Sequence, residues 1–216
     1  MEAIHKQKFS VQLALKLLQI NAIKLNTENL FTWASGIKSP IYCDNRRTLA
    51  YPELRRNIRD SFSSLIQEKY PEVEYIAGVA TGAIAHGALV ADQLQLPYLY
   101  IRPKPKEHGL ANQIEGVIDP GKKVVVVEDL ISTGGSSLKA VEALRQAGFQ
   151  VLGLVAIFTY GFQQAEEAFM KQNCPMITLT NFDVLLRTAM EHEFISLQQT
   201  DFLLQWRNQL NFETNV

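Results

Sequence analysis

The chain is poor in cysteine, has no long apolar run and carries no excess of either charge, and each shortage narrows what it does. Its two cysteines, Cys43 and Cys174, lie far apart, and neither has a Cys or His neighbour at metal-ligand spacing. That argues against a disulfide framework and against a zinc site. With 21 Lys and Arg against 22 Asp and Glu, the net charge is -1. No global basic surface is available for nucleic acid or an anionic membrane, and neither partner is expected. The opening stretch MEAIHKQKFSVQLALKLL holds no apolar segment of signal-peptide or membrane-span length and no small-residue cleavage site, so a cytoplasmic location with reduced thiols is the expectation. His5, His86 and His192 have no partner at metal or catalytic spacing and read as packed or surface residues. Two common phosphate motifs, G-x-x-x-x-G-K-[ST] and G-x-G-x-x-G after a first strand, are also missing.

What remains is a soluble globular composition, 47% hydrophobic over 216 residues, enough for one domain with a proper core. No repeat, low-complexity tract or linker divides it. Phe9, Leu13, Leu17 and Ile20 at helical spacing predict a helix from about Lys6 to Ile20. Short extended pieces with turn signals follow in FTWASGIKSPIYCD and predict a small β appendage. Pro52 opens a second helix to about Lys69, with Leu54, Ile58, Phe62 and Leu65 on one face.

The period then changes. Val73–Gly78, Tyr98–Arg102, Val124–Glu128, Val151–Thr159 and Met176–Thr180 are short apolar runs rich in β-branched residues. Helical stretches Ala83–Leu94, Ser136–Ala147 and Phe162–Lys171 sit between most of them, and two helices close the chain. Continuous apolar strands alternating with helices predict an α/β fold whose central, mainly parallel sheet is covered on both faces. The exception is Arg102 to Lys122, a polar stretch with three prolines and three glycines. A loop this long inside a compact domain is uncommon and usually either functional or disordered.

Chemistry is concentrated after Val124–Val127. Glu128-Asp129 stand at a strand tip, Leu130-Ile131-Ser132-Thr133-Gly134-Gly135-Ser136 follow, and then a helix begins. Ligands of open parallel sheets bind beyond the carboxyl ends of the strands. The first amides of a helix are unpaired and partly positive, so they suit a phosphate. Two carboxylates would repel phosphate alone; beside a phosphate cradle they suit a ligand that also presents hydroxyls, as ribose does.

VVVVEDLISTGGSS resembles the 5-phosphoribosyl 1-diphosphate (PRPP) motif of type I phosphoribosyltransferases. The resemblance implies that Glu128 and Asp129 hold the ribose hydroxyls. It also implies that Ser132, Thr133, Gly134, Gly135 and Ser136 surround the 5-phosphate, with Leu130 and Ile131 in the same PRPP-binding segment. RPKPKEHG resembles the mobile catalytic loop of orotate phosphoribosyltransferases, R-[K]-x-x-K-[DE]-H-G, which Arg102, Lys106, Glu107, His108 and Gly109 match. Pro103 stands where many members have a lysine, and Lys104 is its candidate replacement. FTWASGIKSPIYCD resembles the family's hood segment, F-T-x-[KA]-S-G-x-x-S-P-x-[FY], with Tyr42 at the aromatic position near orotate. Ala34 falls where some members have a PRPP-contacting lysine. Gly78 to Gly82 resembles the pyrophosphate loop, with Gly82 in place of a lysine. Tyr160 falls where some members place an orotate-binding arginine.

The resemblance therefore implies a type I phosphoribosyltransferase fold in a single domain, 1–216, with a hood over about 1–50 and a mobile loop over about 102–118. It implies PRPP and orotate as substrates in UMP biosynthesis, Arg102, Lys106 and His108 as catalytic and PRPP-binding cations, and Tyr42 and Ser132 as orotate-binding. Mg²⁺ is expected through PRPP, with no directly assigned metal ligand. A homodimer sharing the loop across its interface is the expected assembly. The alternatives are transfer to another base, against which the hood and K-E-H-G loop speak, and a non-catalytic PRPP-binding regulator. The latter would need a basic recognition surface or an added helix-turn-helix, and neither is visible. Trp33, near the hood motif, is read as core packing.

Overall fold

The protein was analysed as a computed structural model, which describes residues 2–33, 36–103 and 113–210. It opens with α1 (Glu2–Gln19), which begins earlier than the expected Lys6. Leu13, Ala14 and Leu17 bury its inner face. The β appendage follows as β1 (Ile23–Leu25), β2 (Phe31–Thr32), β3 (Lys38–Ser39) and β4 (Ile41–Cys43). β2 and β3 form a hairpin, and β1 pairs antiparallel with β4. A 3-10 turn, Asn45–Ala50, leads into α2 (Pro52–Lys69). Pro52 sits in the first turn of α2, where its missing N–H costs nothing. Of the first fifty residues, α1 packs on the main body of the protein, against its last strand and last-but-one helix.

The main body runs β5 (Tyr75–Val79), α3 (Ile84–Leu94), β6 (Tyr98–Ile101), β7 (Ile114–Glu115), β8 (Lys123–Ile131), α4 (Gly135–Gln146), β9 (Gln150–Thr159), α5 (Gln163–Lys171), β10 (Met176–Asn181), α6 (Phe182–Glu191) and α7 (Leu197–Gln209). One six-stranded sheet has the order β10-β9-β8-β5-β6-β7. Every pair in it is parallel except β6 with β7. The alternation of side chains along a strand feeds two cores. Val124 and Val126 pack with Leu138, Val141 and Leu144 of α4, while Val125 and Val127 pack with residues of α1, α2, α3 and α6.

Two stretches differ from the sequence expectation. β8 continues through Ile131 rather than ending at Glu128, so the acidic pair lies inside the strand and the loop proper starts at Ser132. The Arg102–Lys122 stretch, read as loop throughout, contains β7. Ile114 and Glu115 pair with Ile101 and Tyr100, and the Arg102 amide donates to Gln113 O at 2.8 Å. A two-residue edge strand is too short to show a period, which is why it is invisible in the sequence.

The strand order positions the site. Starting from β5, the chain places β6 on one side, then returns to add β8, β9 and β10 on the other. This is a doubly wound order whose switch point lies between β5 and β8. The loops leaving the carboxyl ends of these two strands, Ala80–Ala83 and Ser132–Gly134, flank a single crevice.

Behind that crevice a buried polar chain ties α3 to the 3-10 turn. Thr48 Oγ1 donates to Asn45 O at 2.6 Å and lies 3.1 Å from His86 Nε2. Because Thr48 has one hydroxyl proton, the hydrogen of the imidazole sits on Nε2 and points at Thr48. Burial, aided by the charge of Arg55, pulls His86 down to about 4. Between its ordinary value near 6.5 and about 4, the unfolded chain takes up a proton that the folded chain refuses. Stability contributed by neutral His86 is therefore complete above pH 6.5 and lost on acidification, by roughly 3 kcal/mol at the lower end. Calorimetric melting between pH 7 and 4.5 should show a clearly smaller fall in Tm for His86→Gln than for the wild type. Parallel profiles would contradict the assignment.

Candidate active site

Each of the two loops contributes a distinct surface. The first, Ala80-Thr81-Gly82-Ala83, follows β5 and contains a cis peptide between Ala80 and Thr81. Its closest neighbour across the crevice is Asp129. A Cβ placed on Gly82 would overlap the Asp129 carboxyl group. The absence of a side chain at 82 is what lets this carboxylate lie over the loop.

The second surface is the start of α4. Gly134 takes φ +81°, a left-handed conformation natural to glycine, and a Cβ there would stand 2.9 Å from the Phe169 ring. No side chain caps α4. The first intrahelical bond runs from the Leu138 amide to Gly134 O, which leaves the amides of Gly135, Ser136 and Ser137 facing outward for an anion. Gly135 is not demanded by packing, since a Cβ on it would meet only Thr133 Oγ1, at 3.9 Å. The open space beside Gly135 matches a ligand that approaches the backbone closely. Gly135→Ala should therefore leave Tm unchanged or slightly raised, because alanine suits a helix better, yet weaken PRPP binding at least tenfold in calorimetry. Full PRPP affinity in that variant would remove the cradle assignment.

The acidic pair divides its work. Glu128 is 5% exposed and turned under the first turn of α4. Its Oε1 accepts from the Asp129 amide at 2.9 Å and its Oε2 from Ser137 Oγ at 2.9 Å. Burial and the neighbouring charge of Asp129 raise the Glu128 carboxyl well above the usual range. Asp129 is raised too, first by burial, and is held down by its hydrogen bond with Glu128 and by the charge of Arg46. Burial thus disfavours the charged form of both carboxyls, and that of Glu128 more strongly. Asp129 is the member turned toward Gly82 and the appendage.

The appendage closes the crevice from the other side. Asn45 Nδ2 donates to Asp129 O at 2.6 Å, fixing the 3-10 turn to the tip of β8. Tyr42 is 38% exposed, with its ring 5.7 Å from that of Phe31. Arg46 Nε donates to Asp44 Oδ1 at 2.6 Å. Tyr160 is buried in an aromatic group with Trp33, Phe158 and Phe162. Trp33 packs as expected and donates from Nε1 to Ile41 O at 3.1 Å. Helix α7 braces this layer, since Trp206 Nε1 donates to Lys38 O at 3.3 Å and Gln199 Nε2 to Thr27 Oγ1 at 3.2 Å.

Of the residues singled out from sequence, Tyr42, Asp129, Ser132, Thr133, Gly134, Gly135 and Ser136 gather at the crevice. Arg102 sits at the carboxyl end of β6, with Nη1 3.6 Å from Glu115 Oε1. Ile131 is fully buried, so its side chain offers a ligand no surface, and Leu130 packs against the core. Lys104, Lys106, Glu107, His108 and Gly109 lie outside the described residues, as does Ala34. Sequence reading passed over Asn45 and Arg46; the string Asp44-Asn45-Arg46-Arg47, directly after the hood motif, was the available signal.

A doubly wound sheet with a carboxylate over one switch-point loop and an uncapped helix start at the other is the arrangement that the resemblance to phosphoribosyltransferases implies. The phosphoribosyl transferase domain family matches residues 47–187. The chain is 58% identical over 192 residues to the orotate phosphoribosyltransferase of Bacteroides thetaiotaomicron, covering 89% of this chain and 91% of that one. It is 53% identical over 199 residues to the orotate phosphoribosyltransferase of Cytophaga hutchinsonii, covering 92% and 95%. Among solved structures, the orotate phosphoribosyltransferase of Aeropyrum pernix superposes with a TM-score of 0.74 at 28% identity, covering 85% of this chain and 99% of that one. The chain belongs to the orotate phosphoribosyltransferase family.

Proposed function

We propose that the chain transfers the 5-phosphoribosyl group of PRPP to N1 of orotate, forming orotidine 5′-monophosphate and releasing diphosphate, a step of UMP biosynthesis. The observation that carries this reading is the seat of the Asp129 carboxylate on Gly82, beside the uncapped start of α4. One crevice thus offers an acceptor for ribose hydroxyls and donors for a phosphate. The N1–C1 bond forms as the C1–O bond breaks, and its electron pair leaves with diphosphate through an oxocarbenium-like state, as in glycoside cleavage.

The residues divide as follows. The amides of Gly135, Ser136 and Ser137, with the hydroxyls of Ser132, Thr133 and Ser136, hold the 5-phosphate. Asp129 accepts from the ribose hydroxyls, and Glu128 keeps Asp129 and Ser137 in place. Tyr42 packs on the base, with Ser132 at its edge. Arg102, Lys106 and His108 stabilise the charge growing on the leaving diphosphate once the loop between β6 and β7 excludes water. Carboxylate oxygens suit a hard cation, and Asp129 would present them to Mg²⁺ carried mainly by PRPP. Bound there, Mg²⁺ would supply Lewis-acid neutralisation of the diphosphate.

A homodimer with the loop shared between protomers is the assembly we propose, in the cytoplasm. Among the described residues no helix is long and apolar enough to cross a membrane. Incubating the protein with PRPP, Mg²⁺ and a panel of orotate, uracil, adenine and hypoxanthine tests the base assignment. Product from orotate alone supports it, and a purine nucleotide product would overturn it.

A further inference from the structure

The proposed transfer still lacks a partner for the orotate carboxylate. Asp129 and Asp44 lie near the appendage end of the crevice, so an incoming carboxylate needs a cation there. Arg102 stands at the end of β6, beyond β5 from this place, and is paired with Glu115. A second cation does reach the region. Arg46 follows Asn45, whose side chain is bonded to Asp129 O at 2.6 Å, and its guanidinium acts electrostatically on both Asp129 and Tyr42.

The Arg46 side chain is 56% exposed and is held through Nε by a single oxygen of Asp44, at 2.6 Å. Among the described residues, no acceptor engages its two Nη groups. That edge is the fork that binds a carboxylate with two parallel hydrogen bonds. The Asp44 carboxyl, held below its usual range chiefly by this bond, keeps the guanidinium oriented. We propose that Arg46 is the specificity-determining residue that pairs with the carboxylate of orotate and of orotidine 5′-monophosphate. The inference rests on the proposed transfer to orotate.

The product and uridine 5′-monophosphate differ only in that carboxylate, so the pair isolates it. Calorimetric titration of the wild type should show tighter binding of orotidine monophosphate. Arg46→Ala should weaken it roughly 10- to 100-fold, the worth of a charge-assisted bidentate pair. Affinities for uridine monophosphate and PRPP should stay within about threefold, whereas Arg46→Lys, which keeps the charge without the fork, should fall between. Unchanged binding of orotidine monophosphate by Arg46→Ala, or equal losses for uridine monophosphate or PRPP, would overturn the assignment. Wild-type turnover of orotate with PRPP separates the two claims. Turnover together with full product affinity in Arg46→Ala sinks only the role of Arg46. No turnover removes the transfer reaction and this inference with it.

Discussion

Lys106→Ala is expected to lower kcat at least a hundredfold while the far-ultraviolet circular dichroism and Tm remain those of the wild type. The loop that carries Lys106 leaves β6 and returns through β7, and its ends are tied at the crevice mouth by the Arg102 amide bonding Gln113 O at 2.8 Å. Ten residues lie between these anchors. Folded back on itself, such a segment reaches at most roughly 17 Å, enough to lay a side chain over a diphosphate held between β5 and β8, or to cross to a neighbouring protomer. We propose that in the transition state the lysine meets the charge leaving with diphosphate. A cation positioned only then is worth about 3 kcal/mol, or roughly a hundredfold in rate. The loss should fall mainly on kcat, with a smaller change in KM for PRPP, because the interaction strengthens as the bond breaks. Near-normal turnover in a folded variant would remove the catalytic assignment of this loop.

Gly82→Ala is the second large effect. A single methyl at this position would occupy the space of the Asp129 carboxyl, so the Ala80–Ala83 loop and that carboxyl cannot both keep their places. Displacing a carboxylate that accepts from ribose hydroxyls removes charge-assisted hydrogen bonds worth about 1.5–3 kcal/mol, and we expect PRPP affinity to fall roughly 10- to 100-fold. The main chain of Asp129 is tied to Asn45 and Glu128, so the displacement falls on its carboxyl or on the facing loop. Gly82 thus belongs with the particular placement of Asp129 in this chain. Calorimetry with PRPP decides the matter, and an affinity within threefold of the wild type would contradict it.

Much of this was legible in the chain. Runs such as Val124–Val127 announce a strand buried on both faces, and their alternation with amphipathic helices announces the parallel sheet. The glycine and hydroxyl string after Asp129 announces the phosphate cradle. Other parts depend on tertiary placement. Two adjacent acids look equivalent in sequence, yet the bond from Ser137 draws Glu128 under α4, while Asp129 turns toward Gly82. β7 escapes notice because two residues carry no period. Arg46 reads as one more surface arginine until the Asn45–Asp129 bond brings its turn to the crevice.

The central claim, a ribosyl transfer from PRPP to orotate across the β5–β8 crevice, is tested most directly by the ultraviolet absorbance of orotate. With purified wild-type protein, PRPP and Mg²⁺, the account predicts a steady loss of orotate absorbance matched one for one by diphosphate release. Chelation of the metal should abolish it. Folded protein that binds PRPP but leaves the orotate absorbance unchanged would contradict the account.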